Sequence, residues 1–122
     1  MPTFGNASTA RLVTCEEKLQ QIMNEVIKRV DCTILCGHRN QADQEAAFAG
    51  GNSKVHFPNS RHNVLPSQAV DVAPYPIDWN DLKRFHDLSD IVKQVAAEMN
   101  IEIEWGGDWE HFKDYPHYQL KA

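Results

Sequence analysis

Two histidines and one aspartate in the second half of the chain have the residue types of a metal site. His62 lies in a polar loop, Asp71 lies on a predicted strand that follows it, and His117 lies on the last predicted strand. Two imidazoles and one carboxylate form a three-ligand set for catalytic zinc and leave the fourth tetrahedral position to water. Bound zinc lowers the pKa of that water to about 7 and polarises a substrate carbonyl. The set therefore predicts hydrolytic chemistry.

Asp114 lies three residues before His117, and Pro116 fixes the turn between them. A carboxylate in this place is suited to act as a general base, close to the metal without binding it. Each residue alone also has a structural explanation, as a hydrogen-bonded histidine or as an aspartate in a turn. The hypothesis depends on their combination: Ser60-Arg61-His62, Ala69-Val70-Asp71, Trp105-Gly-Gly-Asp-Trp109 and Asp114-Tyr-Pro-His117-Tyr-Gln119.

This combination resembles the zinc D-alanyl-D-alanine carboxypeptidases and their relatives, the phage L-alanyl-D-glutamate endopeptidases. The family has a Ser-x-His…Ala-x-Asp segment with two zinc ligands, which Ser60-Arg61-His62 and Ala69-Val70-Asp71 match. A later acid-x-x-His segment, matched by Asp114-Tyr-Pro-His117, supplies the catalytic carboxylate and the third ligand. Aspartate in the catalytic place, near Trp-Gly-Gly-Asp-Trp, favours the phage endopeptidase branch, because the carboxypeptidase branch commonly has glutamate there.

The resemblance implies a role for each matched residue. The ligands of Zn²⁺ are His62, Asp71 and His117. Asp114, ionised at neutral pH from an ordinary pKa of about 3.9, takes a proton from the zinc-bound water and passes it to the leaving amine. The implied substrate is the stem peptide of bacterial peptidoglycan, cut between L-Ala and D-Glu.

Arg39 lies in the stretch Gly37-His38-Arg39…Gln44, which resembles another family motif, placed after the first strand. The resemblance implies that its guanidinium faces the scissile carbonyl and stabilises the developing oxyanion. The alternative is a surface ion pair with Asp43 or Glu45.

One departure from the family is the longer spacing between His62 and Asp71, which an inserted turn at 64–66 absorbs at little cost.

The elements that must position these residues follow from the hydrophobic pattern. Helices are predicted over 15–30, with a capping box formed by Thr14 and Glu17, from Asn40 to Gly50, and over 82–99, the last with an optional break near Asp87. Strands are predicted over 32–36, 68–73, 101–105 and 116–120. Without regular βαβ alternation, the fold class is α+β, a small and largely antiparallel sheet with helices packed against it. The resemblance makes this a hedgehog/DD-peptidase-like fold, and we expect one zinc peptidase domain over 1–122, with 1–13 as loop or partly ordered.

Composition limits the remaining choices. The chain has 122 residues, of which 42% are hydrophobic and 24% charged, as in one globular domain. A formal net charge of −5 argues against a nucleic-acid partner. No apolar run approaches the roughly 18 residues of a membrane span, so we expect no stable membrane association, and we expect a monomer. Three cysteines and a start without a signal-peptide core indicate synthesis in a cytosol. The resemblance implies a phage endolysin that is made in the host bacterial cytoplasm and later released to the periplasm and cell wall.

Several alternatives stay open at this point. A D-Ala-D-Ala carboxypeptidase and a non-catalytic zinc- or wall-binding module use the same ligands, and a metal-dependent nuclease is suggested only by the pair His62-Asn63. Cys32 and Cys36 with His38 could form a soft metal site, although buried thiols are the favoured explanation. Lys54 and Arg61 either bind carboxylates of an acidic stem peptide or are solvated. Trp105 and Trp109 are expected to pack in the core or to line the cleft.

Overall fold

The computed structural model describes residues 2–121, which form four α-helices and a four-stranded sheet. The helices are α1 (Asn6–Leu12), α2 (Glu17–Arg29), α3 (Gln41–Ala49) and α4 (Leu82–Glu98). The strands are β1 (Cys32–Cys36), β2 (Ala69–Pro74), β3 (Ile103–Trp105) and β4 (His117–Leu120). Their order in the sheet is β1-β2-β4-β3, and every neighbouring pair is antiparallel. The α+β prediction is confirmed. No helix within residues 2–121 is long and apolar enough to cross a membrane.

The hydrophobic core lies between one face of the sheet and the helices α2 and α4. It contains Val70 and Val72 of β2 and Tyr118 of β4, together with the apolar faces of both helices. Because side chains alternate along a strand, Asp71 and His117 point to the opposite face. The core therefore fixes the sheet, and the sheet presents the polar residues on its other side.

The expectation of a loop or partly ordered segment over 1–13 is wrong for Asn6–Leu12, which form α1. This segment has no apolar stripe, and contacts with the neighbouring strand β1 hold it. Arg11 Nη1 donates to the Ile34 carbonyl at 3.0 Å, and Ser8 Oγ accepts from the Ile34 amide at 3.1 Å. The helix thus covers the free edge of β1, which would otherwise expose unpaired backbone groups.

The predicted capping box at the start of α2 is also wrong. The helix begins at Glu17, and the side chain of Glu16 accepts from the Lys18 amide. Thr14 Oγ1 instead donates to the Arg11 carbonyl at 2.7 Å and accepts from the His38 amide at 2.8 Å. Its hydroxyl therefore holds the backbone just after β1, beside the polar face of the sheet.

The other predicted elements are present with small shifts at their ends. Asn40 caps α3 by accepting from the Asp43 amide at 2.9 Å, as its position predicted. The fourth helix, α4, is continuous, so the optional break near Asp87 is wrong. The third strand, β3, begins at Ile103, two residues later than predicted.

Candidate active site

His62, Asp71 and His117 meet on the sheet face that points away from the core. Asp71 and His117 are directly opposite each other on β2 and β4, which brings His117 Nδ1 within 3.3 Å of Asp71 Oδ1. His62 Nε2 lies 3.2 Å from the same oxygen and 3.3 Å from His117 Nδ1. Within residues 2–121 these three side chains are the one group of histidine, cysteine and acidic residues close enough to share a cation. The alternative soft site around Cys32 and Cys36 does not form there.

Each imidazole is oriented by a hydrogen bond on its other nitrogen. His62 Nδ1 lies 2.8 Å from the Gly37 carbonyl, and His117 Nε2 lies 2.9 Å from Gln119 Oε1. Both partners only accept, so these outer nitrogens carry the protons of the neutral rings. The inner nitrogens then present lone pairs to each other and to Asp71. Three acceptors in such contact require a cation or a proton among them, and two nitrogens with one carboxylate suit Zn²⁺.

The electrostatics of the three-residue cluster favour positive charge. Burial alone would lower the pKa of His62, but the Asp71 carboxylate outweighs burial and raises this pKa to about 10. Burial also disfavours the charged form of Asp71, yet the two imidazoles hold the pKa of its carboxyl well below the usual range. The carboxylate therefore stays ionised and available to a cation.

His62 lies on a 3-10 turn, Arg61–Asn63, that is closed at both ends by side chains. Ser60 Oγ accepts from the His62 amide at 3.1 Å, and Asn63 Oδ1 accepts from the Ser60 amide at 3.0 Å. The His62 carbonyl accepts from the Arg39 amide at 2.8 Å. Ser60, the serine of the sequence motif, thus stabilises the backbone of the turn, and the turn is hydrogen-bonded to the segment after β1.

The longer spacing before Asp71 is absorbed at the surface. Leu65 is 68% exposed, whereas Ser67 is fully buried. Ser67 Oγ donates to the Ala69 carbonyl at 2.6 Å, and the Ser67 amide donates to the Thr14 carbonyl at 2.8 Å. The extra residues therefore project into solvent while both ends of the loop are fixed, and the imidazole still reaches the cluster.

Gln44 is a fully buried amide on α3 that joins several parts of the site. Its Oε1 accepts from Arg39 Nη1 at 3.0 Å and from Asn63 Nδ2 at 3.2 Å. Its Nε2 donates to Ser53 Oγ at 2.8 Å and to the Val55 carbonyl at 2.7 Å. The sequence motif included Gln44 without a role, and Asn63 was named only in the alternative of a metal-dependent nuclease. The sequence feature that could have identified Gln44 is a polar residue on the buried side of a short predicted helix.

Arg39 forms its ion pair inside the site, so the alternative of a surface pair with Asp43 or Glu45 is wrong. Arg39 Nη2 lies 3.3 Å from Asp71 Oδ2, and the arginine side chain is 13% exposed. Glu45 contacts the exposed His56 instead. The guanidinium therefore lies beside the three-residue cluster with its direction fixed by two partners.

Asp114 lies beside the cluster without joining it. Its Oδ2 is 3.8 Å from His117 Nδ1. Burial and the nearby charge of Asp71 raise the pKa of Asp114 to about 6. The Asp114 amide donates to the Gly106 carbonyl at 3.0 Å, and a Cβ atom on Gly106 would overlap the backbone of Asp114. Glycine is therefore required where this segment crosses the end of β3.

Gln119 is a second residue of the site that the sequence motifs contained without a predicted role. Besides accepting from His117, it donates through Nε2 to Glu104 Oε2 on β3 at 3.4 Å. The two residues are paired across β3 and β4. The sequence feature that could have identified this role of Gln119 is its position two residues after His117, which puts both side chains on one face of the strand.

A cavity of about 270 Å³ opens onto the cluster. Trp109 lines it with its ring centre 5.1 Å from that of His117, whereas Trp105 is buried and stacks on Tyr118. Trp109 thus forms part of the cleft wall and Trp105 part of the core, which are the two positions expected from the sequence. The wall also contains positive, polar and apolar side chains: Arg39, Asn52, Ser53, Lys54, Val55, Asn59, Ser60, Arg61 and Phe112.

Residues 2–121 match the family model described as phage L-alanyl-D-glutamate peptidase. The L-alanyl-D-glutamate peptidase of Escherichia phage T5 is 33% identical over 123 residues, which cover 97% of this chain and 88% of that protein. The peptidoglycan L-alanyl-D-glutamate endopeptidase CwlK of Bacillus subtilis (strain 168) is 29% identical over 106 residues, 76% of this chain and 62% of CwlK. The crystal structure of the Serratia marcescens L-Ala D-Glu endopeptidase ChiX superimposes with a TM-score of 0.82 at 29% identity, covering 97% of this chain and 89% of ChiX.

Proposed function

Because the chain belongs to the phage L-alanyl-D-glutamate peptidase family, we propose that it hydrolyses the L-Ala–D-Glu bond of the peptidoglycan stem peptide with the help of zinc. The observation that supports this most directly is the convergence of two inward lone pairs and one carboxylate from His62, Asp71 and His117. These residues would hold the ion. When bound, zinc supplies a water of lowered pKa and polarises the scissile carbonyl.

Asp114 is the general base of the proposed reaction. It accepts a proton from the attacking water and then donates it to the nitrogen of D-Glu as the carbon–nitrogen bond breaks. A base is most effective when its pKa is close to the working pH, and in the metal-free protein burial and the charge of Asp71 raise the pKa of Asp114 to about 6. Its oxygen is 3.8 Å from His117 Nδ1, near the cluster but free to exchange protons.

Arg39 stabilises the negative charge that develops on the carbonyl oxygen. Its guanidinium lines the cavity and is held by Gln44 Oε1 and Asp71 Oδ2. A fixed positive charge in a cleft with little water lowers the energy of an oxyanion without reorganising during the reaction. The two partners therefore orient a residue whose charge is used only as the substrate reacts.

The competing functions have less support. The relatives named above are endopeptidases for L-Ala–D-Glu, which disfavours release of terminal D-Ala. The position of Asp114 beside the cluster disfavours a non-catalytic module.

We also propose that the enzyme acts as a monomer, is made in the host cytoplasm and reaches the wall through a membrane lesion. The free, buried thiols of Cys15 and Cys32 suit a reducing compartment.

Digestion of purified sacculi by the zinc-loaded protein tests this function, with and without a chelator, and with the products identified by mass. The expected result is new D-Glu amino termini, lost with the chelator and restored by zinc. Free D-Ala would instead identify a carboxypeptidase, and wall binding without cleavage would identify a non-catalytic module. Cleavage that the chelator does not affect would show that the reaction needs no metal.

A further inference from the structure

Lys54 is a positive charge on the wall of the active-site cavity, and it has no acidic partner among residues 2–121. Its Nζ lies 5.1 Å from the centre of the Phe112 ring, which supports the ammonium group through its π face. No carboxylate among residues 2–121 lies within ion-pair distance of this nitrogen. The ammonium group is therefore available to an anion in the cavity.

The other two positive side chains of the cavity are already engaged. Arg39 pairs with Asp71 at 3.3 Å. Arg61 Nη1 donates to the Leu120 carbonyl at 3.0 Å and to Gln68 Oε1 at 3.3 Å. The structure thus separates Lys54 from Arg61, which the sequence treated as equivalent candidates for an acidic substrate.

The backbone around Lys54 is fixed relative to the site. Gln44 Nε2 donates to Ser53 Oγ at 2.8 Å and to the Val55 carbonyl at 2.7 Å, one on each side of the lysine. The same amide accepts from Arg39 through its oxygen. One buried side chain therefore sets the distance between the lysine segment and the groups that would act on the substrate.

The chemistry of the stem peptide supplies a matching anion. The peptide continues from the side-chain carboxyl of D-Glu, so the α-carboxyl stays free on the carbon that bears the scissile nitrogen. A carboxylate in this position must enter a cavity whose wall already contains the Asp114 carboxylate. Like charges in a partly buried cleft repel unless a cation faces the ligand.

We propose that Lys54 binds the free α-carboxylate of D-Glu and makes the enzyme selective for stem peptides in which this group is not amidated. The inference rests on the proposed function, because it concerns the residue on the amine side of the bond that is cut. Lys54 contributes to substrate binding and takes no part in proton transfer.

The test compares two synthetic substrates, muramoyl-L-Ala-D-Glu-(γ)-L-Lys and the same peptide with the α-carboxyl converted to an amide. Zinc-loaded wild type is expected to have about tenfold higher kcat/KM on the carboxylate substrate. Lys54→Gln should lower kcat/KM about tenfold on the carboxylate substrate, through KM, and leave the amide substrate within about twofold. Lys54→Arg keeps the charge and should keep the preference.

Lys18→Gln is the matched control, because it makes the same change in net charge at an exposed position on α2. The proposal is overturned if Lys54→Gln lowers activity equally on both substrates, if it leaves the preference intact, or if Lys18→Gln has the same effect. A wild-type enzyme that cuts both substrates equally well would refute the role of Lys54 and leave the proposed function standing. A wild-type enzyme that cuts neither would refute the proposed function itself.

Discussion

The two imidazoles of the cluster reach the same point by different means. His117 is placed by strand register, because β4 pairs with β2 and sets it opposite Asp71. His62 is placed by a turn whose position depends on hydrogen bonds accepted by Ser60 Oγ, by Asn63 Oδ1 and by the Gly37 carbonyl. The position of His117, here called the strand side, requires only the pairing of the sheet. The position of His62, here called the loop side, requires a buried polar network. We therefore expect substitutions on the strand side to change the chemistry, and substitutions in the network to change stability first.

The largest effect is expected for Asp114→Asn, three residues before His117 and next to the strand side. Asparagine keeps the shape but cannot accept the proton, so kcat should fall about 10²- to 10⁴-fold, with zinc content and thermal stability unchanged. Steady-state kinetics together with metal analysis measure both quantities. Wild-type turnover in this variant would remove Asp114 from the mechanism.

The pH profile of the wild type gives a second view of the same group. Asp114 must be ionised to act, so activity should be present at high pH and fall as the pH drops through its pKa. Burial and Asp71 raise that pKa to about 6, and a bound cation lowers it again. The acid limb of kcat/KM is therefore expected at or below about pH 6. An acid limb well above this value would assign the titration to another group.

The next effect is expected for Gln44→Leu, in the network. Leucine fills a similar volume, but Arg39 Nη1 loses its acceptor, and Asn63 Nδ2 and the Val55 carbonyl each lose a hydrogen bond to the buried amide. The free energy of unfolding should fall by about 2–4 kcal/mol. Urea denaturation in the presence of a chelator measures this without a contribution from metal binding. A loss no larger than that of the exposed control Gln41→Leu would show that the network does not hold the loop side.

A smaller effect is expected for Gln119→Leu, on the strand side. Without the acceptor, His117 Nε2 loses the partner that fixes its tautomer, and zinc affinity should fall about 10- to 100-fold. The unfolding free energy of the metal-free protein should change by less than about 1 kcal/mol, because the strand register remains. Competition with a chromophoric chelator measures the affinity. Unchanged affinity, or a stability loss as large as that of Gln44→Leu, would remove the distinction between the two sides.

The smallest effect is expected for Leu65→Ser, in the part of the loop that projects into solvent. Leu65 is 68% exposed, so its replacement removes little buried surface. Both the unfolding free energy, within about 0.5 kcal/mol, and kcat/KM should stay at wild-type values. A marked change in either would mean that the extra loop residues help to position His62.

The strand side was the more predictable of the two from sequence. Alternation along β2 and β4 already separates Val70, Val72 and Tyr118 from Asp71 and His117, so local pattern and final position agree. The α+β class and most elements follow from the same periodicities.

The loop side and the ends of the first helices were less predictable, because they depend on contacts between distant segments. Thr14 has the local pattern of a helix cap, but the His38 amide competes for its hydroxyl. Helix α1 lacks an amphipathic pattern and forms against the edge of β1. Gln44 is an ordinary polar residue until folding brings Asn63 and the segment 53–55 to its amide. Sequence patterns report local periodicity, and these contacts are not local.

The most direct test of the account is to locate zinc in a crystal of the loaded protein by anomalous diffraction at the zinc absorption edge. The account predicts one peak bonded to His62 Nε2, His117 Nδ1 and an Asp71 oxygen, each at about 2.0–2.2 Å. A peak at other residues, such as Cys32 or Cys36, or no peak between the two imidazoles, would contradict it.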